Sequence, residues 1–201
     1  MLGIVEERLY NFTNAIRKLK LLLLVRAMTE GFNKDPFDFQ KFKQVLHFII
    51  HNCGCAPNVG KTVLWKILYF SDFDYYELFE ELLTGETYFK LPHGPAPSDF
   101  DNAIDELTQE EKVQALNSKY GQYDQKRFIS CKEPDVSLLS ATELQHIEKT
   151  INKYAHMNAS QISALSHADL PYIATKDSQL INYELVFYRD PQMSVREYSD
   201  D

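Results

Sequence analysis

Gly60-Lys61-Thr62-Val63-Leu64-Trp65-Lys66-Ile67-Leu68-Tyr69-Phe70-Ser71-Asp72-Phe73 is the stretch whose reading decides the fold. Val63, Leu64, Ile67, Leu68 and Phe70 occupy more than one face of a helix, and a helix apolar over so wide an arc lies centrally in its domain. Asn58 is placed to cap it, and the pattern predicts that it runs to about Leu83. At about 100° per residue, Lys61, Trp65, Tyr69, Asp72 and Tyr76 form a stripe beside the apolar arc. Aromatic and charged side chains of this kind dominate protein–protein hot spots. The stripe is therefore a candidate partner surface. The competing reading is a helix buried on two sides, its tyrosine hydroxyls bonded internally.

Before this helix, residues 5–28 have helical composition, and Gly31 and Asn33 close that segment. Pro36 then opens a helix with apolar residues at Phe39, Phe42, Leu46, Ile49, Ile50 and Cys53, a spacing of three and four. After it, Thr84–Gly85 turns the chain, Thr87–Leu91 is a strand candidate, and Pro92–Pro97 reads as a loop. Ser98 or Asp99 caps a helix through Leu107. Lys112–Leu116 and Gln122–Cys131 read as a hairpin turning around Ser118–Gly121. Ser140 and Glu143 fit the capping box, followed by Leu144, Ile147, Ile151 and Tyr154 at helical spacing. Asn158 caps a shorter helix, and Ile181–Tyr188 reads as a closing strand. The predicted class is α+β and mostly α-helical, a helical domain with one small antiparallel sheet. Its boundaries are a basic helical extension over 1–35, a domain over 36–190 and a polar tail over 191–201.

The 201 residues are 44% hydrophobic and 25% charged, which excludes wholesale disorder. The net charge of −8 speaks against broad nucleic-acid binding, which needs clustered lysine and arginine. Residues 1–34 carry six basic and three acidic side chains, so a basic segment precedes an acidic body. The run Leu21–Val25 is far shorter than the roughly twenty apolar residues a membrane span needs. With no signal-peptide pattern, the chain reads as cytoplasmic.

Three motifs invite chemistry. Gly60-Lys61-Thr62 resembles the end of a phosphate-binding loop, but Cys55 stands where that loop needs its first glycine, and a helix precedes it where a strand should. His47, His51, Cys53 and Cys55 are zinc-competent side chains, yet their spacing is compact for four tetrahedral ligands and crosses a helix end. Ser166, His167 and Asp169 suggest a hydrolase, but triad members must converge in space and no nucleophile elbow is present. Ser166 is read instead as the N-cap of the segment beginning at His167. No catalytic residue, metal or cofactor is predicted.

The run Gly60–Phe73, with its Lys…Leu-Tyr-Phe-x-Asp core, resembles the signature helix of the Panacea domain of SocA-like antitoxins. Leu83-Thr84-Gly85, Tyr88 and Gly94-Pro95-Ala96 are similar to that family's next segment, with Ala96 at a usual valine. Leu165-Ser166-His167, Ile181-x-Tyr183-Glu184-Leu185 and the tail from Tyr188-Arg189-Asp190 to Tyr198 follow in the same order. The resemblance spans about residues 37–198.

It implies a bacterial or phage antitoxin that neutralises a cognate protein toxin, encoded by the adjacent gene, through direct protein–protein binding. Some relatives deliver a toxin to a protease as adaptors, and some antitoxins repress their own operon; both are alternatives. The toxin-binding candidates are Lys61, Trp65, Tyr69, Asp72 and Tyr76 on the signature helix, with His93, Ser166 and His167 beside it. The residues before the domain are the expected seat of toxin specificity. The resemblance does not fix the oligomeric state.

Overall fold

The computed structural model describes residues 37–196. The helix expected over residues 5–28, and residues 197–201 of the tail, lie outside the described residues.

Helix α1 spans Phe39–Cys53, capped by Asp38, whose carboxylate accepts from the Lys41 amide at 3.0 Å. It buries Phe42, Val45, Leu46, Ile49, Ile50 and Cys53, the face its apolar spacing predicts. Helix α2 spans Lys61–Phe79 and runs through the core. Its cap is Gly60, which lends no side chain. Asn58, expected there, instead donates to the carbonyls of Ala155 and Met157, both at 2.8 Å. Helix α2 also stops before the expected Leu83, because Glu80 turns left-handed at φ 57° and its amide closes on Tyr76 O.

The aromatic residues of α2 form the centre of the core. Tyr69 lies against Phe70, Phe73 and Tyr88, Phe70 stacks on Tyr154 at 4.5 Å, and Phe73 stacks on Tyr183 at 4.1 Å. Ring pairs of this kind add about 1 kcal/mol beyond area burial.

Strands β1 (Tyr88–Leu91) and β2 (Gly94–Pro97) pair antiparallel around Pro92–His93. Four of the six residues of the expected proline loop are thus strand. Tyr88 and Lys90 turn their backbone groups the other way, to Ile181 N and Gln179 O. Pro97 and Pro95, opposite them, therefore owe the ladder no amide. Helix α3 (Phe100–Gln109) leads into β3 (Val113–Tyr120) and β4 (Tyr123–Ser130), a ribbon turning at Gly121, whose φ is +60°. Only its base is buried, at Val113 and Phe128.

Helix α4 (Ala141–Tyr154) carries the full capping box of Ser140 and Glu143. Helix α5 (Ala159–Ala168) has a second one, Asn158 with Gln161. Helix α6 (Leu170–Ala174) is one short turn with Pro171 in its first turn. The expected closing strand is instead a 3₁₀ helix, Tyr183–Tyr188, started by Asn182. Tyr183 and Phe187, four apart, both pack on α2, a helical spacing that alternation cannot supply. The class is α+β and mostly helical, and the described residues form two separate two-stranded sheets rather than one. Among the described residues no helix is long and apolar enough to cross a membrane.

Candidate partner-binding surface

The stripe read on α2 is divided by the fold. Tyr69 is wholly buried and Asp72 is 1% exposed. The Tyr69 hydroxyl donates to Asp169 Oδ2 at 2.8 Å, and burial next to that carboxylate holds its pKa well above the ordinary range. Asp72 accepts from the Thr84 amide at 3.1 Å, the Thr84 hydroxyl at 2.8 Å and the Tyr88 hydroxyl. Burial nevertheless outweighs those bonds and pushes its pKa up to about 6. For these two residues the competing reading, internal satisfaction, is what the structure shows.

The outer members of the stripe lie at opposite ends of the helix. Fifteen residues separate Lys61 from Tyr76, about 22 Å along the axis. At the amino end Lys61 pairs with Asp101 at 2.6 and 2.9 Å and stands 4.9 Å above the Trp65 ring. Trp65 is half-buried and meets Phe100 edge-on at 6.0 Å, while its buried Nε1 has no partner among the described residues. At the far end the Tyr76 hydroxyl donates to Glu184, with its ring against Tyr183 and Phe187.

Beside Trp65 the structure gathers the remaining candidates in a corner of α2, β2 and α5. Lys66 is fully buried, and its Nζ donates to Pro95 O at 2.9 Å. Burial pushes that amine down to about 7. Gly94 has φ +99°, and a Cβ there would stand 2.6 Å from Lys66 Cε and 2.7 Å from Ser166 Oγ. Gly94 thus lets the strand close over both side chains. Ser166 is buried inside α5 and donates to Ser163 O at 2.9 Å; it is not the N-cap expected of it. Ser163 in turn donates to the carbonyl of exposed His93. His167 is half-buried and stacked on Tyr172 at 4.7 Å, with its Nε2 buried and without a partner among the described residues. Burial first, then the charges of Lys66, His93 and Lys90, hold its pKa below the ordinary value.

Asp169 does not join Ser166 and His167. It belongs to a buried charge cluster that the sequence reading did not identify. Arg189, wholly buried, bonds Asp169 at 2.8 and 2.6 Å, Asp74 at 2.7 Å and Glu77 at 2.6 Å. Ser194 also donates to Glu77. Burial against the pull of Arg189 pushes Asp74 up to about 6. The only sequence signal is a charge within an apolar context: Asp74 and Glu77 on a central helix, Lys66 inside the run Leu64–Phe70.

The other two motifs also separate. His47 Nε2 meets Ser130 Oγ at 3.0 Å, Cys53 is buried with its thiol pushed up to about 12, and Cys55 is exposed. Among the described residues no three His, Cys, Asp or Glu side chains stand close enough to hold a metal. Lys61, the would-be phosphate-loop lysine, is taken by Asp101.

The family model for the Panacea domain of SocA-like antitoxins matches residues 64–171, more than half of the chain. That range includes α2 from Leu64 onward, the β1–β2 hairpin and the Ser166-His167 corner. No curated protein and no solved structure matches the chain.

Proposed function

Since the chain belongs to the SocA-like antitoxin family through its Panacea domain, we propose that it acts by binding a cognate protein toxin directly and covering the surface the toxin works with. The family gives the antitoxin role in general. Direct binding is our reading, and the way the polar residues are used supports it. Tyr69, Asp72, Tyr88, Asp169 and Arg189 bond one another in the interior, and Ser166 bonds a backbone carbonyl. No hydrogen bond among the described residues joins Ser166, His167 and Asp169, so the shared motif residues hold a shape rather than assemble a nucleophile and base.

The observation that carries the choice of surface is Trp65. It is half-buried, flanked by Lys61 and Phe100, and its buried indole N–H has no partner among the described residues. Such an aromatic, already fixed by its neighbours, anchors an interface at low entropic cost. His93 and His167 lie around the adjacent corner, and Tyr76 belongs to a separate patch. The net charge of −8 would speed encounter with a basic toxin.

The test is co-expression with the product of the adjacent reading frame. Trp65→Ala should fold, lose protection and weaken binding by about 2 kcal/mol or more. Unchanged affinity in Trp65→Ala would move the interface elsewhere. Toxin levels separate occlusion from delivery to a protease: they stay constant in an inert complex and fall with an adaptor.

A further inference from the structure

We infer that the corner of His93, His167 and Lys66 is a receptor for an oxyanion, a phosphate or carboxylate group. The inference goes beyond toxin binding and holds whether or not a toxin docks there.

The argument begins with counter-charges. Lys41, Lys43, Lys61, Lys90 and Lys112 each have a carboxylate within 4.0 Å. Lys66, the most deeply buried lysine, has none among the described residues; its three-donor head has one carbonyl partner, Pro95 O. A cationic head buried without a counter-ion is unfavourable by itself, and an arriving anion offsets that.

The neighbours are of the same sign. The Tyr172 ring stacks with His167 at 4.7 Å and has the Lys90 head 4.7 Å from its centre. Gly94 is the hub: the position of a Cβ on it lies 3.0 Å from Lys66 Nζ and 2.7 Å from Ser166 Oγ, and His93 precedes it in the turn. Among the described residues His167 Nε2 is buried with no partner, and no carboxylate pairs with either histidine. Solvent reaches this place through exposed His93 and half-buried His167. In a chain of net charge −8, a spot that gathers Lys66, His93 and His167, none of them paired with a carboxylate among the described residues, attracts anions. His93 and His167 would contact the oxyanion, with Lys66 supporting it from behind.

The experiment uses the full chain and two probes, inorganic phosphate and acetate, followed by the ring proton resonances of the six histidines. Saturable shifts are expected at His93 and His167, with His47, His51, His146 and His156 unmoved. Preference for phosphate identifies a phosphate group as the ligand, and equal affinity identifies a carboxylate such as a partner side chain supplies. Lys66→Met should weaken binding about tenfold or more, as should His167→Gln, which is half-buried and serves if Lys66→Met does not fold. The absence of a saturable shift with either probe, equal shifts at all six histidines, or undiminished affinity in a folded variant would overturn the assignment.

Discussion

Arg189 grips Asp169 through two parallel bonds, Nε to Oδ1 at 2.8 Å and Nη2 to Oδ2 at 2.6 Å. Both side chains are fully buried. Asp169 links α5 to α6, and Arg189 follows the 3₁₀ helix, so the pair fastens the last described segment to the body. The remaining guanidinium nitrogen reaches Asp74 and Glu77 on α2. One cation therefore joins three elements far apart in sequence, and it faces three carboxylates.

Removing Arg189 should be among the most damaging single changes. Breaking one partner out of a buried pair costs about 3–5 kcal/mol, and here several carboxylates would lose the same cation. Arg189→Lys should fail almost as badly, because an ammonium cannot reproduce the two-pronged bond. Lys61→Ala, which breaks a partly exposed pair with Asp101, should cost no more than about 1 kcal/mol. Urea unfolding compares the three, and an Arg189→Lys variant as stable as the parent would refute the fastening role.

Asp72 supplies a pH test. Its folded pKa is raised to about 6 from an ordinary 3.8, chiefly by burial. Between those values the unfolded chain has released the proton and the folded chain retains it. Folding is then opposed increasingly as pH rises from about 4 to about 6, and the effect is constant above that. In Asp72→Asn the amide oxygen can still accept from Thr84, and the Tyr88 hydroxyl can turn to accept from the amide nitrogen. The parent should lose stability relative to Asp72→Asn across that window. Denaturation curves at several pH values check this, and a parent that gains on the variant there would show the opposite linkage.

Much of the fold can be read from spacing and caps. The buried face of α1, the central place of α2 and the Ser140–Glu143 box need only local periodicity and a hydroxyl at the right offset. The end of α2 could not be read, because Glu80 carries no glycine-like signal for its left-handed turn. Residues 183–188 misled for a related reason: five of six are bulky and β-compatible, while their contacts with Phe73 and Tyr76 are tertiary. The site was legible in composition and not in exposure. A wheel puts Tyr69 and Asp72 beside Trp65, but only long-range packing decides that the hairpin and the 3₁₀ helix cover them. Arg189 and its carboxylates are up to 115 residues apart, beyond any local pattern.

Gly94 and Gly121 both have positive φ but should respond differently to alanine. At Gly121 nothing among the described residues lies within 4 Å of an added Cβ, so Gly121→Ala carries only the left-handed penalty of about 1 kcal/mol. At Gly94 the added atom meets Lys66 Cε and Ser166 Oγ as well. Gly94→Ala should therefore cost roughly 2–3 kcal/mol, combining strain with overpacking. Thermal melting of the two variants decides it. Equal losses would mean that the corner yields freely.

Lys66 gives the second linkage, of opposite slope to that of Asp72. Burial lowers its pKa from 10.5 to about 7. Below pH 7 the amine is charged in both states, and the cost of burying that charge is fully present. Above pH 7 the folded chain loses the proton while the unfolded chain retains it up to about 10.5, so stability rises with pH in that window. Lys66→Met cannot titrate and leaves every other group in place. The parent should gain on Lys66→Met by up to about 1.4 kcal/mol per pH unit between pH 7 and 10. The loss of the bond to Pro95 O shifts the whole comparison by a constant without altering its slope. Parallel stability curves for parent and variant would mean that the Lys66 amine keeps its proton inside the fold.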